Sequence, residues 1–454
     1  MNHPTTLQSL SSTVGLKVTE LSNLLKTAGL PEPSFAEKSY ADFAHETTAS
    51  TDKAIRHVRN ELIDAAKDII RLAMGPVDQV LSLAWSASDT ANINIINTFS
   101  IAQNVPFGSS ISAKDLSAAT GLPLDELTRT VRYAITNGIF TEYTPGLFAH
   151  SAASAALARN KHLRDICDFN TDFLAAIQIK LAEALKARAV GASDAPHAAF
   201  NVAYRTKDDL FEHFHKDTDL NAKYHGYLAG RVNTPLWSVD RLLTAWDWGA
   251  LGDATVIDCG GSSGHTCVSL APICPQTKFI VQDMSADAME LGRENVTFLS
   301  SSDSSSPYHN LNSRITFATH DFFTEQKTLA DVYIFRHILH DWDDGNSVKI
   351  IKALVPALEK KSAESNGPAP RVLISEGIVP PAPEKRRGTV TEKMIRLVLL
   401  IEDSIMLAAH NARERNVQDF IEIFKTADPR FTFIGETSGA KEGAFQSLLE
   451  FEFV

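Results

Sequence analysis

The sequence predicts an α/β protein: a doubly wound sheet in its C-terminal half, preceded by an all-helical region that ends in a winged-helix pattern. Three observations carry this. From about residue 240 short apolar strands alternate with helical patterns, whereas the first half places its apolar residues at helical spacing. Between the first of those strands and a helix lies the Gly-rich turn VIDCGGSSGHTC, at the strand end where doubly wound sheets take their ligands.

Residues 1–50 read as an N-terminal helical extension led by SLSSTVGLKVTELSNLLKTAGL. The next helix, TDKAIRHVRNELIDAAKDIIRLAMG, stops at Gly75-Pro76, a helix-ending pair. Within 51–160, ISAKDLSAATGLPLDELTRTVRYAITNGIFTEYTPGLFAH reads helix, turn at Gly121, helix to Asn137-Gly138, then two short β runs around Pro145-Gly146. A second helix of this kind can enter a DNA groove, but here it sets only Arg129 and Arg132 against Asp125 and Glu126, so a packing or dimerisation module is expected. Residues 161–240 read as a helical connection; for His213 and His215 within EHFHK, solvated and substrate-lining roles both stay open.

Residues 241–454 supply the sheet. TVIDC, KFIVQD, RITFATHD, ADVYIFR and RVLISEG read as strands, and NSVKIIKALVPALEK as a helix before the last of them. SSSDSSSP, ESNGPAP and PPAPEKRRG read as surface loops between these units.

Composition removes whole classes of function. With 454 residues and 44% hydrophobic content the chain can bury a large core, and its formal net charge of −12 argues against nucleic acid as the main partner. Cys167, Cys259, Cys267 and Cys274 form no CxxC pair, which points to a reducing compartment rather than a disulfide framework. The start lacks a basic region followed by an apolar run, and no stretch is apolar for long enough to span a membrane. A cytoplasmic protein with no membrane partner is expected.

In the Gly-rich turn, Asp258 ends a strand, and Gly260, Gly261 and Gly264 allow close backbone approach to a ligand. It is neither G-x-G-x-x-G nor a phosphate-cradling G-x-x-x-x-G-K-[ST]. The following strands end near Asp283 and near Asp321, Phe322 and Phe323, a layout suited to ribose hydroxyls and a base. A nucleoside with a small charged tail fits better than a dinucleotide.

The segment FRHILHDWDD admits three readings: a metal site, a general base with its supporting carboxylate, or the polar lip of a strand leaving the core. His337 and His340 form an HxxH pair with no acidic third ligand at helical spacing, so no metal is expected. Asp343 and Asp344 precede a helix and read as capping charges, and Trp342 as a packing residue.

Taken in order, VIDCGGSSG, FIVQDMS, ITFATHDFF, YIFRHILHDWDD, VLISEGIVPP and MLAAHNARERN resemble the S-adenosylmethionine-dependent O-methyltransferases of the caffeic-acid and fungal polyketide type. The resemblance implies a Rossmann-like class I methyltransferase domain over 241–454, and a winged-helix dimerisation domain whose helices form a homodimer with shared acceptor pockets. It implies S-adenosyl-L-methionine as cofactor, S-adenosyl-L-homocysteine as product and no metal. The cofactor set would be Asp258, Gly260, Gly261 and Gly264 at the methionine portion, Asp283 with Met284 at the ribose, Asp321 and Phe322 at the adenine, and Arg336 nearby. Ser262 stands where the family's turn commonly carries a further glycine.

By the same resemblance His340 is the general base, and Glu376 and Glu414 are the carboxylates that position it, Glu414 on the helix after MLAAHN. Met406, Asn411 and Asp341 fall with the acceptor-binding positions. The acceptor would be a phenolic or enolic hydroxyl of a polyketide-like aromatic secondary metabolite. A phenol titrates near 10 and a free imidazole near 6.5, so full proton transfer before attack would cost roughly 5 kcal/mol. The base therefore takes the proton as the bond to carbon forms. Two alternatives remain: a cofactor-binding pericyclase or dehydratase on the same fold, disfavoured by the base-and-carboxylate set, and a non-catalytic winged-helix regulator.

Overall fold

The computed structural model describes residues 6–39, 49–189, 197–232, 237, 239–301, 306–364, 368–379, 390–438 and 446–454. PPAPEKRRG and parts of SSSDSSSP and ESNGPAP, expected as loops, lie outside the described residues. The chain divides into two compact units, Met1–Pro235 with Arg387–Met394, and Leu236–Arg386 with Ile395–Val454.

In the first unit, α1 (Leu7–Thr27) opens on a capping box between Thr6 and Ser9, and buries Leu21 and Leu25 against Ile55 and Val58 of α2 (Ala49–Trp85). Gly75 interrupts α2 at φ 73° and ψ 171°, and the helix resumes at Pro76, so the expected stop is a break between two helical segments. The winged helix comprises β1 (Ser110–Ser112), α3 (Ala113–Thr120), α4 (Leu124–Thr136), β2 (Thr141–Thr144) and β3 (Leu147–Ala149), in sheet order β1-β3-β2. Leu116, Leu127, Val131, Phe140 and Phe148 form its core. Arg129 pairs with Asp125 at 3.0 Å and Arg132 grips Glu142 with two nitrogens at 2.8 and 2.9 Å, so neither guanidinium on α4 awaits a phosphate.

In the second unit seven strands form one sheet, ordered β6-β5-β4-β7-β8-β10-β9. The parallel strands are β4 (Thr255–Cys259), β5 (Lys278–Asp283), β6 (Ile315–Thr319), β7 (Val332–Arg336) and β8 (Arg371–Gly377), the five read from sequence. The antiparallel edge, β9 (Phe431–Thr437) and β10 (Gln446–Phe453), was not read. Helices cover both faces, and side-chain alternation divides the core. Tyr333, Phe335 and Ile374 pack with Phe420, Phe424 and Phe451 on one face, while Val332, Ile334 and Leu373 join Trp248, Val256 and Val281 on the other.

Asp343 caps α5 (Asp344–Ala353), its Oδ1 accepting from the Asn346 N–H at 2.9 Å as expected. The single helix expected from NSVKIIKALVPALEK is two, because Pro356 has no N–H to continue the first; a second helix runs Val355–Glu364. The strand order reverses at β4, with β5 on one side and β7 on the other. The Gly-rich turn after β4 and the FRHILHDWDD segment after β7 thus leave the sheet side by side, at the switch point where such sheets bind ligands.

Candidate active site

β7 ends at Arg336, and His337 then takes a left-handed backbone at φ 54° while its N–H still donates to the Ser375 carbonyl. A short 3-10 turn follows, Leu339–Asp341. β7 and β8 run parallel with Arg336 opposite Ser375, which places Glu376 beside the chain that leaves β7. Glu376 Oε1 accepts from the N–H groups of Ile338, Leu339 and His340 at 3.2, 2.7 and 3.3 Å, satisfying donors that have lost a strand partner.

The His340 ring is buried, with Nδ1 2.9 Å from Glu414 Oε1. That contact makes Nδ1–H the donor and leaves Nε2 as the acceptor nitrogen. Asp341 Oδ1 lies 3.6 Å from this Nε2 and 3.5 Å from Nε2 of His410. Burial pushes the imidazole down, but the Glu414 and Asp341 carboxylates outweigh it and hold the ring up to about 10. Burial also pushes the Glu376 carboxyl up to about 7, against the opposing pull of His340.

Two expectations need correction. Glu414 is not on a helix but in the loop between α6 (Val390–Ala409) and α7 (Val417–Ala427). Asn411 at φ 56° turns the chain away from α6, and the Glu414 N–H is tied to Asp403 Oδ1 at 2.9 Å, so no helical turn can form there. Glu376 positions the histidine through its backbone and not through its ring, because the β8 register brings its carboxylate to the N–H groups.

The Gly-rich turn is built for close packing. A Cβ on Gly260 would stand 2.5 Å from Ile338 Cδ1, and one on Gly261 2.7 Å from the Asp258 carboxyl. Asp258 is thus buried beneath the turn, where burial pushes its carboxyl up to about 6 against the pull of Arg336. The N–H groups of Gly260 and Gly261 donate to the Gln282 carbonyl, that of Gly264 to Gly261 and that of Ser262 to Asp283 Oδ2 at 2.8 Å. With these donors spent the turn is no phosphate cradle, and its remaining polar capacity suits a cationic tail. Ser262 holds φ 51°, which accounts for the glycine common in related turns.

Asp283 closes β5 with Oδ1 fixed by the Ser285 N–H at 2.8 Å, and neighbouring Met284 is 59% exposed. Asp321 Oδ1 accepts from the Phe323 N–H at 2.9 Å, while Phe322 reaches the Gly260 turn and meets Trp342 edge-on. Arg336 donates to His265 Nε2 at 2.8 Å and to the Trp237 carbonyl at 2.7 Å. Met406 is buried on the last turns of α6, and Asn411 follows His410. His337 contacts Gln446, and among the described residues no three His, Cys, Asp or Glu side chains converge as a metal would require.

A family model described as "O-methyltransferase domain" matches residues 181–429. The chain is 31% identical to O-methyltransferase aoiF of Aspergillus oryzae over 93% of its own length and 95% of that protein. The chain belongs to the O-methyltransferase family. The methyltransferase is also 30% identical to the chlorophenol O-methyltransferase of Trichoderma longibrachiatum, over 94% of this chain and 86% of that one. Its fold matches OxaC, solved in complex with sinefungin and meleagrin, at a TM-score of 0.72 and 20% identity over 97% and 99% of the two chains.

S-adenosylmethionine is its cofactor, and the residues present fit it. The spent N–H groups of the turn, the anchored Asp283 carboxylate, exposed Met284 and the Phe322 ring suit an ammonium-bearing tail, a ribose and an adenine in turn. Three side chains of the methyltransferase were not singled out from sequence: His265, which burial and Arg336 hold down to about 3 and therefore neutral, His410 beside Asp341, and buried Arg415. All three stood inside quoted motifs. Their neighbours come from other strands and loops, so spacing gave no signal.

Proposed function

We propose that this methyltransferase methylates a phenolic or enolic hydroxyl of a secondary metabolite, a fungal polyketide-like aromatic, with His340 as the general base. The observation that carries this reading is the buried 2.9 Å contact between His340 Nδ1 and Glu414, which orients the ring and leaves Nε2 to accept a proton. S-adenosylmethionine supplies a sulfonium methyl that is already an activated electrophile. The protein's own tasks are to orient the acceptor and to remove its proton.

His340 takes the hydroxyl proton at Nε2 as the acceptor oxygen bonds to the methyl carbon, and Glu414 stabilises the resulting imidazolium. A ring held up to about 10 matches a phenol, so the transfer is near isoenergetic. Glu376 fixes the turn that carries the ring. The turn at Gly260, Gly261 and Gly264 above Asp258, with Asp283, Met284, Asp321, Phe322 and Arg336, forms the cofactor side. Asp341, Met406 and Asn411 belong to the acceptor side. A phenolic acceptor agrees with the chlorophenol named for one relative.

We assign the enzyme to the cytoplasm as a homodimer joined through its N-terminal helices. Four free cysteines support the first, and exposed Ile70, Leu72, Val77, Val80, Leu83 and Trp85 on α2 support the second. Among the described residues no helix is long and apolar enough to cross a membrane.

The test is incubation with methyl-labelled S-adenosylmethionine and a panel of phenolic and enolic polyketides, with His340→Ala alongside. Label is expected on the acceptor oxygen, and His340→Ala should lose about 10²–10⁴-fold in kcat with cofactor affinity kept. A substrate converted without label would remove methyl transfer to this class. Full methylation by His340→Ala would remove the base assignment alone.

A further inference from the structure

Arg415 is charged, fully buried, and used by none of the steps above. Its guanidinium spreads along the turn that carries His340: Nη1 donates to the Leu339 carbonyl at 2.6 Å, Nη2 to the Trp342 carbonyl at 2.6 Å, and Nε to Asp344 Oδ1 at 2.9 Å. On the opposite side of the same turn, Glu376 Oε1 collects the N–H groups of Ile338, Leu339 and His340. The turn is therefore held between a carboxylate that takes its donors and a guanidinium that takes its acceptors.

Arg415 is also the chain neighbour of Glu414. Its backbone is pinned to the end of β8, pairing with Ile378 in a parallel bridge and accepting the Val379 N–H at 2.9 Å. Both ends of the His340–Glu414 contact thus pass through one residue: the imidazole's turn through the Arg415 side chain, and the carboxylate through its backbone. The turn needs such a hold. His337 keeps a left-handed backbone at φ 54° three residues before His340, a conformation that persists only where the surroundings over-determine it.

The geometry points to Arg415 as a positioning residue for methyl transfer, acting through the Leu339–Trp342 turn and Glu414 to keep His340 Nδ1 against its carboxylate. This rests on the reading of His340 as the base. A lysine at this position reaches one carbonyl but not three acceptors, so charge alone does not replace the fork.

The experiment follows the His340 ring by NMR titration of histidine-labelled full-length protein, with His340→Gln to assign the signal, in the wild type, Arg415→Met and Arg415→Lys. Affinity for S-adenosylmethionine, measured by calorimetry, reports folding. Turnover is measured on the best acceptor from the label-transfer panel. In Arg415→Met the His340 titration should move down toward an ordinary imidazole, and kcat should fall about 100-fold with KM little changed, as expected when a base is displaced by about 1 Å. Arg415→Lys should fall between that variant and the wild type.

An Arg415→Met protein that binds cofactor and leaves the His340 titration in place overturns the proposal, whatever its turnover, because a general loosening would slow catalysis without moving that titration. If Arg415→Met does not fold, the same two results are read from Arg415→Lys. Full methylation by His340→Gln sinks the base reading instead, and the titration still decides whether Arg415 holds the ring.

Discussion

Glu376 and His340 are joined through the main chain: the carboxylate that ends β8 accepts from the His340 N–H at 3.3 Å, and from Leu339 before it at 2.7 Å, while the imidazole itself turns to Glu414. One acid therefore holds the turn and another holds the ring. Their roles separate experimentally.

Glu414→Gln keeps a side chain of the same size but removes the charge that stabilises the imidazolium. It should lower kcat by about 10²–10⁴-fold with little change in melting temperature. Glu376→Gln keeps an oxygen for the three N–H groups and loses only the charge assistance. It should cost about 1–3 kcal/mol of stability, read as a lower melting temperature, with a smaller loss of turnover. The reverse ranking of the two variants would show that the roles have been exchanged.

The raised His340 value sets a pH dependence. A ring held up to about 10 is mostly protonated at neutral pH, so the neutral base grows as pH rises. kcat/KM should climb about tenfold per pH unit from 7 and level off near 10. Its contribution to stability has the opposite sign: present below the ordinary value of about 6.5, it is lost as pH rises through about 10. Glu414→Gln should move the activity limb to lower pH, which ionisation of the acceptor alone would not do. A flat profile between pH 7 and 9 contradicts this assignment.

Gly260 and Ser262 should respond in opposite directions. Gly260→Ala forces a Cβ into Ile338 Cδ1 at φ 73°, and should abolish measurable S-adenosylmethionine binding in calorimetry. Ile338→Ala added to it removes the clash but not the left-handed strain, and should restore binding only in part. Ser262→Gly relieves a φ of 51° and should raise stability by up to about 1 kcal/mol without weakening the cofactor. A loss of cofactor affinity in Ser262→Gly would mean that the serine side chain itself matters.

The exposed apolar residues on α2 predict the oligomer. Val80→Glu with Leu83→Glu should convert a dimer to a monomer in light scattering at unchanged helicity. A wild type that runs as a monomer at micromolar concentration would remove the dimer.

Much of the second unit was legible because its signals are local. Runs such as TVIDC and YIFR are buried on both faces of a parallel sheet, so they read as strands without reference to partners. β9 and β10 escaped because an antiparallel edge at the end of the chain follows no strand-helix rhythm. His340, Glu376 and Glu414 were reached by resemblance, and Arg415, beside Glu414 in the same quoted motif, was not singled out. Its sequence neighbours give no hint that its guanidinium meets carbonyls 73 and 76 residues earlier.

The sequence by itself determined the doubly wound sheet, the left-handed glycine turn after β4, the Asp343 cap and the histidine delivered at the end of β7. Each depends on backbone preference or burial within a few residues. Only the tertiary structure decided how the histidine is held: Glu376 on its backbone, Glu414 on its ring, and Arg415 across the carbonyls of its turn. Those contacts depend on the register of β7 against β8 and on a loop tied to Asp403, and both arise only when distant segments pack.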